Sequence, residues 1–199
     1  VRDVDIEPFL PLIGDNINAT GSITGVINMT GVTKNPKVEL SASLANGSYN
    51  GIDIDQGFVL ATMENHVINV QRIQGVKEDY KLSAYGKIPL AALYTTGYLD
   101  ANDSKAMDMT IDFNEADMAV IPLITPTVKD ATGALKGVVH VTGTIDQPEA
   151  YGTVSVRNGT MKIKTVGNEL KDIDGDLIFS GQQADFQSRI SAGKGTAGL

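Results

Sequence analysis

Apolar and polar residues alternate with a period of two over much of the chain. The cleanest run spans residues 105–113, where Met107, Met109, Ile111 and Phe113 share one parity and Asp108, Thr110 and Asp112 the other. Successive side chains of a strand point to opposite faces, so this is the pattern of a half-buried β-strand. The same alternation sets Val38, Leu40, Ala42 and Leu44 on one face of a second strand, Gly152, Val154 and Val156 on one face of a third, and Tyr80, Leu82 and Ala84 on one face of a fourth. Asn46-Gly47 and Asn158-Gly159 directly follow two of these runs. Both dipeptides favour the positive φ of a type I′ turn or a bulge, and their position predicts hairpin tips. A helix is predicted only at residues 115–121, with Asn114 as N-cap, Asp117 three residues on and Pro122 as terminator; Pro8 weakens its counterpart near residues 5–10.

The chain also repeats itself. Shifted by 112 places, residues 19–49 lie ungapped over 131–161, and eleven of those 31 pairs are identical. The identities include Gly31 with Gly143, Pro36 with Pro148, and the two Asn-Gly pairs, so turn punctuation and apolar pattern recur together. Two units of about 112 residues follow, the first at 1–114 and a truncated second at 115–199. The expected fold class is all-β, mainly antiparallel, with one short helix per unit.

Composition narrows the function. With 16 Lys and Arg against 24 Asp and Glu, the net charge is -8, which argues against a nucleic-acid partner. A hydrophobic content of 42% is too high for disorder. Yet no apolar run approaches the roughly 18 to 20 residues of a membrane-spanning helix. The absence of Cys excludes disulfides, thiolate zinc sites and Cys nucleophiles. The first residues, Val1-Arg2-Asp3, carry neither an initiator Met nor a signal peptide, so the chain reads as a piece of a larger protein.

The search for chemistry returns little. Only two His exist, His66 and His140, both in strand-like contexts without obvious partners. Asp172, Asp174 and Asp176 have the spacing of a calcium loop, but Leu177 stands where such a loop needs Gly and Gln183 where it needs Glu. A hairpin with a solvated acidic face is the simpler expectation. Gly193, Gly195 and Gly198 match a dinucleotide fingerprint by letters alone, without the strand and helix that give it meaning. Neither an enzymatic activity nor a cofactor is expected.

What remains is the apolar face. A sheet with so little helix must close on itself as a sandwich or curl into an open trough whose inside is filled by a ligand. The candidate lining is Ile27, Met29, Leu40, Leu44, Leu82, Met107, Met109, Ile111, Phe113, Val139, Val141, Val154 and Val156, aliphatic and Met-rich, a composition that adapts to acyl chains. Periodicity leaves both solutions open.

The segment from Ala19-Thr20-Gly21 to Gly31 and on to Asn35-Pro36, and its counterpart from Ala131-Thr132-Gly133 to Gly143 and on to Gln147-Pro148, resemble the repeats of the TamB family, within the AsmA-like superfamily. Each has a Gly-punctuated strand, then Gly, a few residues and Pro, then an alternating strand ending in Asn-Gly. The stretch from Asp172 to Phe179 and the cluster Gly193-Lys194-Gly195-Thr196 resemble that family's following strand and inter-repeat glycines. The resemblance implies a long β-sheet curled into a taco-like trough with a hydrophobic interior. It implies residence in the periplasm of a diderm bacterium, with an inner-membrane anchor outside this chain. It further implies transport of phospholipid, held by its acyl chains, between inner and outer membranes, and association with an outer-membrane barrel of the Omp85 type. An assembly factor for outer-membrane barrels and a structural β-repeat of a cell-surface protein are the alternatives.

Overall fold

The computed structural model of the chain describes residues 1–9, 18–33, 35–49, 52–93, 104–124, 127–164, 169–192 and 195–198. Twelve strands form one antiparallel sheet in strict chain order. They are β1 (Val4–Asp5), β2 (Ala19–Val32), β3 (Asn35–Tyr49), β4 (Ile52–Glu64), β5 (Val67–Lys77), β6 (Tyr80–Pro89), β7 (Met107–Asp117), β8 (Val128–Gly143), β9 (Pro148–Ile163), β10 (Glu169–Gly181), β11 (Gln183–Ala192) and β12 (Gly195–Gly198). The first and last strands do not pair, so the sheet is open. It is also curled. Asp53 and Ile54 of β4 line one recess together with Ala119 and Val120, which follow β7; three strands of a flat sheet would hold these residues about 14 Å apart. The described helical segments are single turns: 3₁₀ at Glu7–Phe9 and Met118–Val120, α at Leu90–Leu93 and Ile121–Ile124. None is long and apolar enough to cross a membrane.

The predicted helix is displaced. Strand pairing continues through the segment meant to be helical, with Ala116 opposite Leu135 and Asp117 opposite Ala134. Asn114 is not a cap; its N–H donates to Asp112 Oδ1 at 2.8 Å within the strand. Asp117 is the cap, its Oδ1 accepting the Ala119 N–H at 2.8 Å. Pro122 sits in the first turn of Ile121–Ile124 rather than ending a helix, because there its missing N–H costs no hydrogen bond.

The hairpin tips expected at the two Asn-Gly pairs are β-bulges instead. Asn46 (φ 47°) and Asn158 (φ 51°) lie inside β3 and β9, and pairing continues beyond them at Thr20 with Ser48 and at Thr132 with Thr160. Each Asn-Gly pair faces a single glycine, Gly21 or Gly133, where a Cβ would come within 2.8 Å or 2.7 Å of the opposing glycine Cα. The true tips include Asn65-His66, both at positive φ, Glu78-Asp79, with Glu78 at φ 52°, and Gly181-Gln182. His66 is therefore a turn residue rather than a strand residue.

The repeat is visible in register and in hydrogen bonds. Val4 pairs with Ile23 as Ala116 pairs with Leu135, and Gly31 faces Pro36 as Gly143 faces Pro148. Glu7 N–H donates to Asp5 Oδ1 at 3.1 Å, as Ala119 does to Asp117. The Thr20 and Ser48 hydroxyls meet at 2.9 Å, those of Thr132 and Thr160 at 2.8 Å. Every one of these correspondences is 112 residues apart, and the sheet runs through residues 114 and 115 without a break, inside β7.

Candidate functional site

Residues directly opposite one another in a sheet share a face, so the registers trace rows across it. One row runs Gly25, Ala42, Val59, Ile73, Ala84, Ile111, Val139, Gly152, Phe179, Ala184. A second runs Ile27, Leu40, Ala61, Val70, Gly86, Met109, Val141, Ala150, Gly181. Neither contains a polar side chain. The row one residue over, on the opposite face, runs Thr24, Ser43, Phe58, Gln74, Ser83, Asp112, Val138, Thr153, Ile178, Asp185 and is mostly polar. The sheet thus has one apolar and one predominantly polar side.

All thirteen candidate lining residues fall on the apolar side, at graded depths. Met109, Phe113, Val139, Val154 and Val156 are buried, and Val139 and Val154 are each only 3% exposed. Leu40, Leu44, Leu82, Met107, Ile111 and Val141 are half-buried. Ile27 and Met29 remain 65% and 68% exposed. Phe113, Val139, Val154 and Val156 pack with Ala116, Met118, Val128, Ala131, Leu135 and Ile173 into one core, with Met118 reaching it from the 3₁₀ turn after β7. Asp117 is the buried charged residue of this region, and its two carboxylate oxygens accept backbone N–H groups of Ala119 (2.8 Å) and Gly133 (2.9 Å). These bonds satisfy the carboxylate and pin the turn over the trough floor.

On β2, and at Ile73 of β5, the apolar side is exposed, although Ala61 and Val70 of β4 and β5 are buried. Ile23, Ala42, Leu44, Val59 and Ile73 line a groove of about 320 Å³ there. It continues at Ile54 and Gly75 into a smaller apolar recess of about 110 Å³ beneath Ala119 and Val120. The sequence did not single out β4 or β5. In β4, Phe58 and Leu60 lie on the polar side and break the alternation. In β5, the bulge between Val70 and Ile73 switches the parity of the inward residues.

The other chemical candidates do not converge. Among the described residues no group of three His, Cys, Asp or Glu side chains could hold a metal ion. The three Asp lie within β10, which forms a hairpin with β11 as expected, with Asp172 and Asp174 exposed; Asp174 accepts the Asn158 N–H at 3.0 Å and Asp176 the Ser155 hydroxyl at 2.6 Å. His140 has partners that its sequence context did not disclose, Asp108 and Thr110, each at 3.5 Å on the polar side. Gly193 and Lys194 lie outside the described residues, while Gly195–Gly198 forms β12. Among the described residues two ionisable groups are perturbed, both away from the groove. A hydrogen bond from Tyr151 to Glu149, with that carboxylate's charge, raises the Tyr151 pKa, and a hydrogen bond from Lys171 lowers that of Glu169 against an opposing desolvation. No family model, curated protein or solved structure matches the chain.

Proposed function

We propose that this chain is a segment of a non-enzymatic lipid conduit, in which the apolar side of the curled sheet solvates phospholipid acyl chains and the polar side meets water. The observation that carries this reading is the row from Ile27 to Gly181, nine residues across nine strands without a polar side chain, buried at Ala61, Val70 and Met109 in its middle, half-buried toward Gly181 and exposed at Ile27. A closed structural repeat would gain nothing by leaving Ile27 and Met29 in water. Acyl chains would cover them, each buried CH₂ contributing roughly 0.8 kcal/mol. The resemblance to the TamB family supports the same reading. It extends the proposal to the periplasm of a diderm bacterium, to lipid movement between the two membranes, and to an Omp85-type barrel as the partner of the full-length protein.

The test is Ile27→Glu. In an empty trough the carboxylate stays hydrated and the fold persists, but lipid can pass only by desolvating the charge, at a cost of several kcal/mol. Phospholipid retained by the purified protein should therefore fall sharply while the melting temperature holds. A folded variant that retains as much phospholipid as the parent overturns the conduit. Val154 also sits on this side, but at 3% exposure it packs in the core, so a charge there would destabilise an open trough and a closed sandwich alike and could not tell them apart.

A further inference from the structure

Gly75 stands on the apolar side of β5, opposite Gly57 of β4 and Leu82 of β6. Glycine inside a strand weakens it and needs a reason: a positive φ, a close backbone approach, or space that something else occupies. Gly75 does not have a positive φ. Nor is it crowded, since a Cβ built there meets no atom within 4 Å, whereas one on Gly57 comes within 3.0 Å of Leu44 Cβ. The remaining reason is space. Gly75 and Ile54 line both apolar recesses, so the missing side chain joins the groove of about 320 Å³ to the one of about 110 Å³.

The smaller recess is almost wholly apolar inside, and charged residues flank it. Lys77, on the same side as Gly75 and paired with Tyr80, and Asp53 both border it. Among the described residues neither is in an ion pair, while neighbouring Lys81 is bound to Glu115 at 2.7 Å. A cation and a carboxylate flanking an apolar slot, neither in an ion pair among the described residues, complement a headgroup carrying both a phosphate and an ammonium.

From this we infer that the Gly75 gap seats one acyl chain of a zwitterionic phospholipid, its phosphate at Lys77 and its ammonium at Asp53, the chain crossing Gly75 toward Val59 and Ile73. The inference rests on the conduit reading and adds the lipid class and the seat. It is tested by incubating the full chain with vesicles of phosphatidylethanolamine or of phosphatidylglycerol, reisolating it, and measuring phospholipid per protein. The parent should retain the ethanolamine lipid in preference, and Asp53→Asn should abolish the preference. Gly75→Val should cut retention at least about tenfold, since its three added carbons displace a comparable number of lipid methylenes, without lowering the melting temperature. Because the chain has no Cys, Gly75→Cys supplies a unique thiol. Bound ethanolamine lipid should slow its reaction with a water-soluble maleimide, and leave unchanged that of Thr153→Cys on the polar side. Retention of neither lipid by the parent overturns the conduit and the seat together. Lipid retained equally by Gly75→Val, or an unslowed Gly75→Cys, overturns the seat alone. Equal retention of the two lipids by the parent overturns the headgroup assignment.

Discussion

Ile27 and Val139 occupy the same position in the two repeats, 112 residues apart, yet Ile27 is 65% exposed and Val139 is 3% exposed. Ala42 and Val154 show the same contrast, half-buried against buried. The backbone does not explain it, because register, bulge and Asp-capped turn all recur. The surroundings do. β8 has β7 along its edge from Met107 opposite Gly143 to Asp117 opposite Ala134, and Met118 packs into the core beside it. β2 is met by β1 at Ile23 and Ser22, and by Val1 at Gly25. An alternating pattern therefore selects the face of a strand, while neighbouring elements decide whether that face becomes core or remains a surface for a guest.

The strongest way to break this comparison is a charge at matched positions. Val154→Glu should cost about 3–5 kcal/mol, or roughly 10 °C of melting temperature, because nothing there hydrates the carboxylate. Ala42→Glu, its equivalent, should cost less than about 1 kcal/mol. Equal losses in thermal unfolding would mean the two repeats are buried alike. Next comes the capping carboxylate. Asp117→Ala strands two backbone N–H groups in a buried site and should cost about 2–3 kcal/mol, whereas Asp5→Ala, which loses one exposed bond, should cost about 0.5 kcal/mol by denaturant titration.

The bulge glycines should instead behave alike. Gly21 (φ 128°) and Gly133 (φ 135°) face the same close approach, so Gly→Ala should cost about 1–2 kcal/mol at either site. A cost confined to Gly133 would show that the shared backbone is not equally fixed in the open repeat. The smallest effect concerns the acid limb of stability. The Lys171 hydrogen bond holds the exposed Glu169 carboxyl below its ordinary pKa. Its contribution is complete above the unfolded-state value and is lost as pH falls through the lowered folded-state value. Glu169→Gln should slightly flatten the fall in melting temperature on acidification, and an unchanged acid limb would show that this surface contact contributes nothing.

Much of the architecture could be read from residue order. Met107, Met109, Ile111 and Phe113 announced their strand because only an extended backbone sets every second side chain on one face. The 112-residue repeat was written in glycines and prolines that the backbone requires. Asn46-Gly47 and Asn158-Gly159 announced positive φ but not whether the chain reverses there, since a bulge and a turn ask for the same residues. The real turn at Asn65-His66 carries a non-glycine at positive φ, which local preference argues against and pairing imposes. The groove was partly legible as an apolar parity. Its depth was not, because burial at Val139 and exposure at Ile27 depend on β7 and Met118, which the strands' own residues do not encode. Gly75 could have been noticed as a glycine within a strand, but only the fold around it shows that no neighbour fills its space.

The strict neighbour-to-neighbour order of the twelve strands bears on how the protein is made as well as on what it holds. Each strand finds its partner in the segment just before it, so no part of the sheet waits for a distant stretch of chain, and loop-closure cost stays low at every step. Such a sheet can zip up progressively as the polypeptide emerges, each new hairpin templated on the last. The uncovered repeat forms first on that schedule and must stay unaggregated until the segment around Met118 has been delivered. Gly31 and Pro36 beside the turn between β2 and β3, and the charged Lys37 and Glu39 beyond them, discourage β3 from pairing with a foreign strand before β4 arrives.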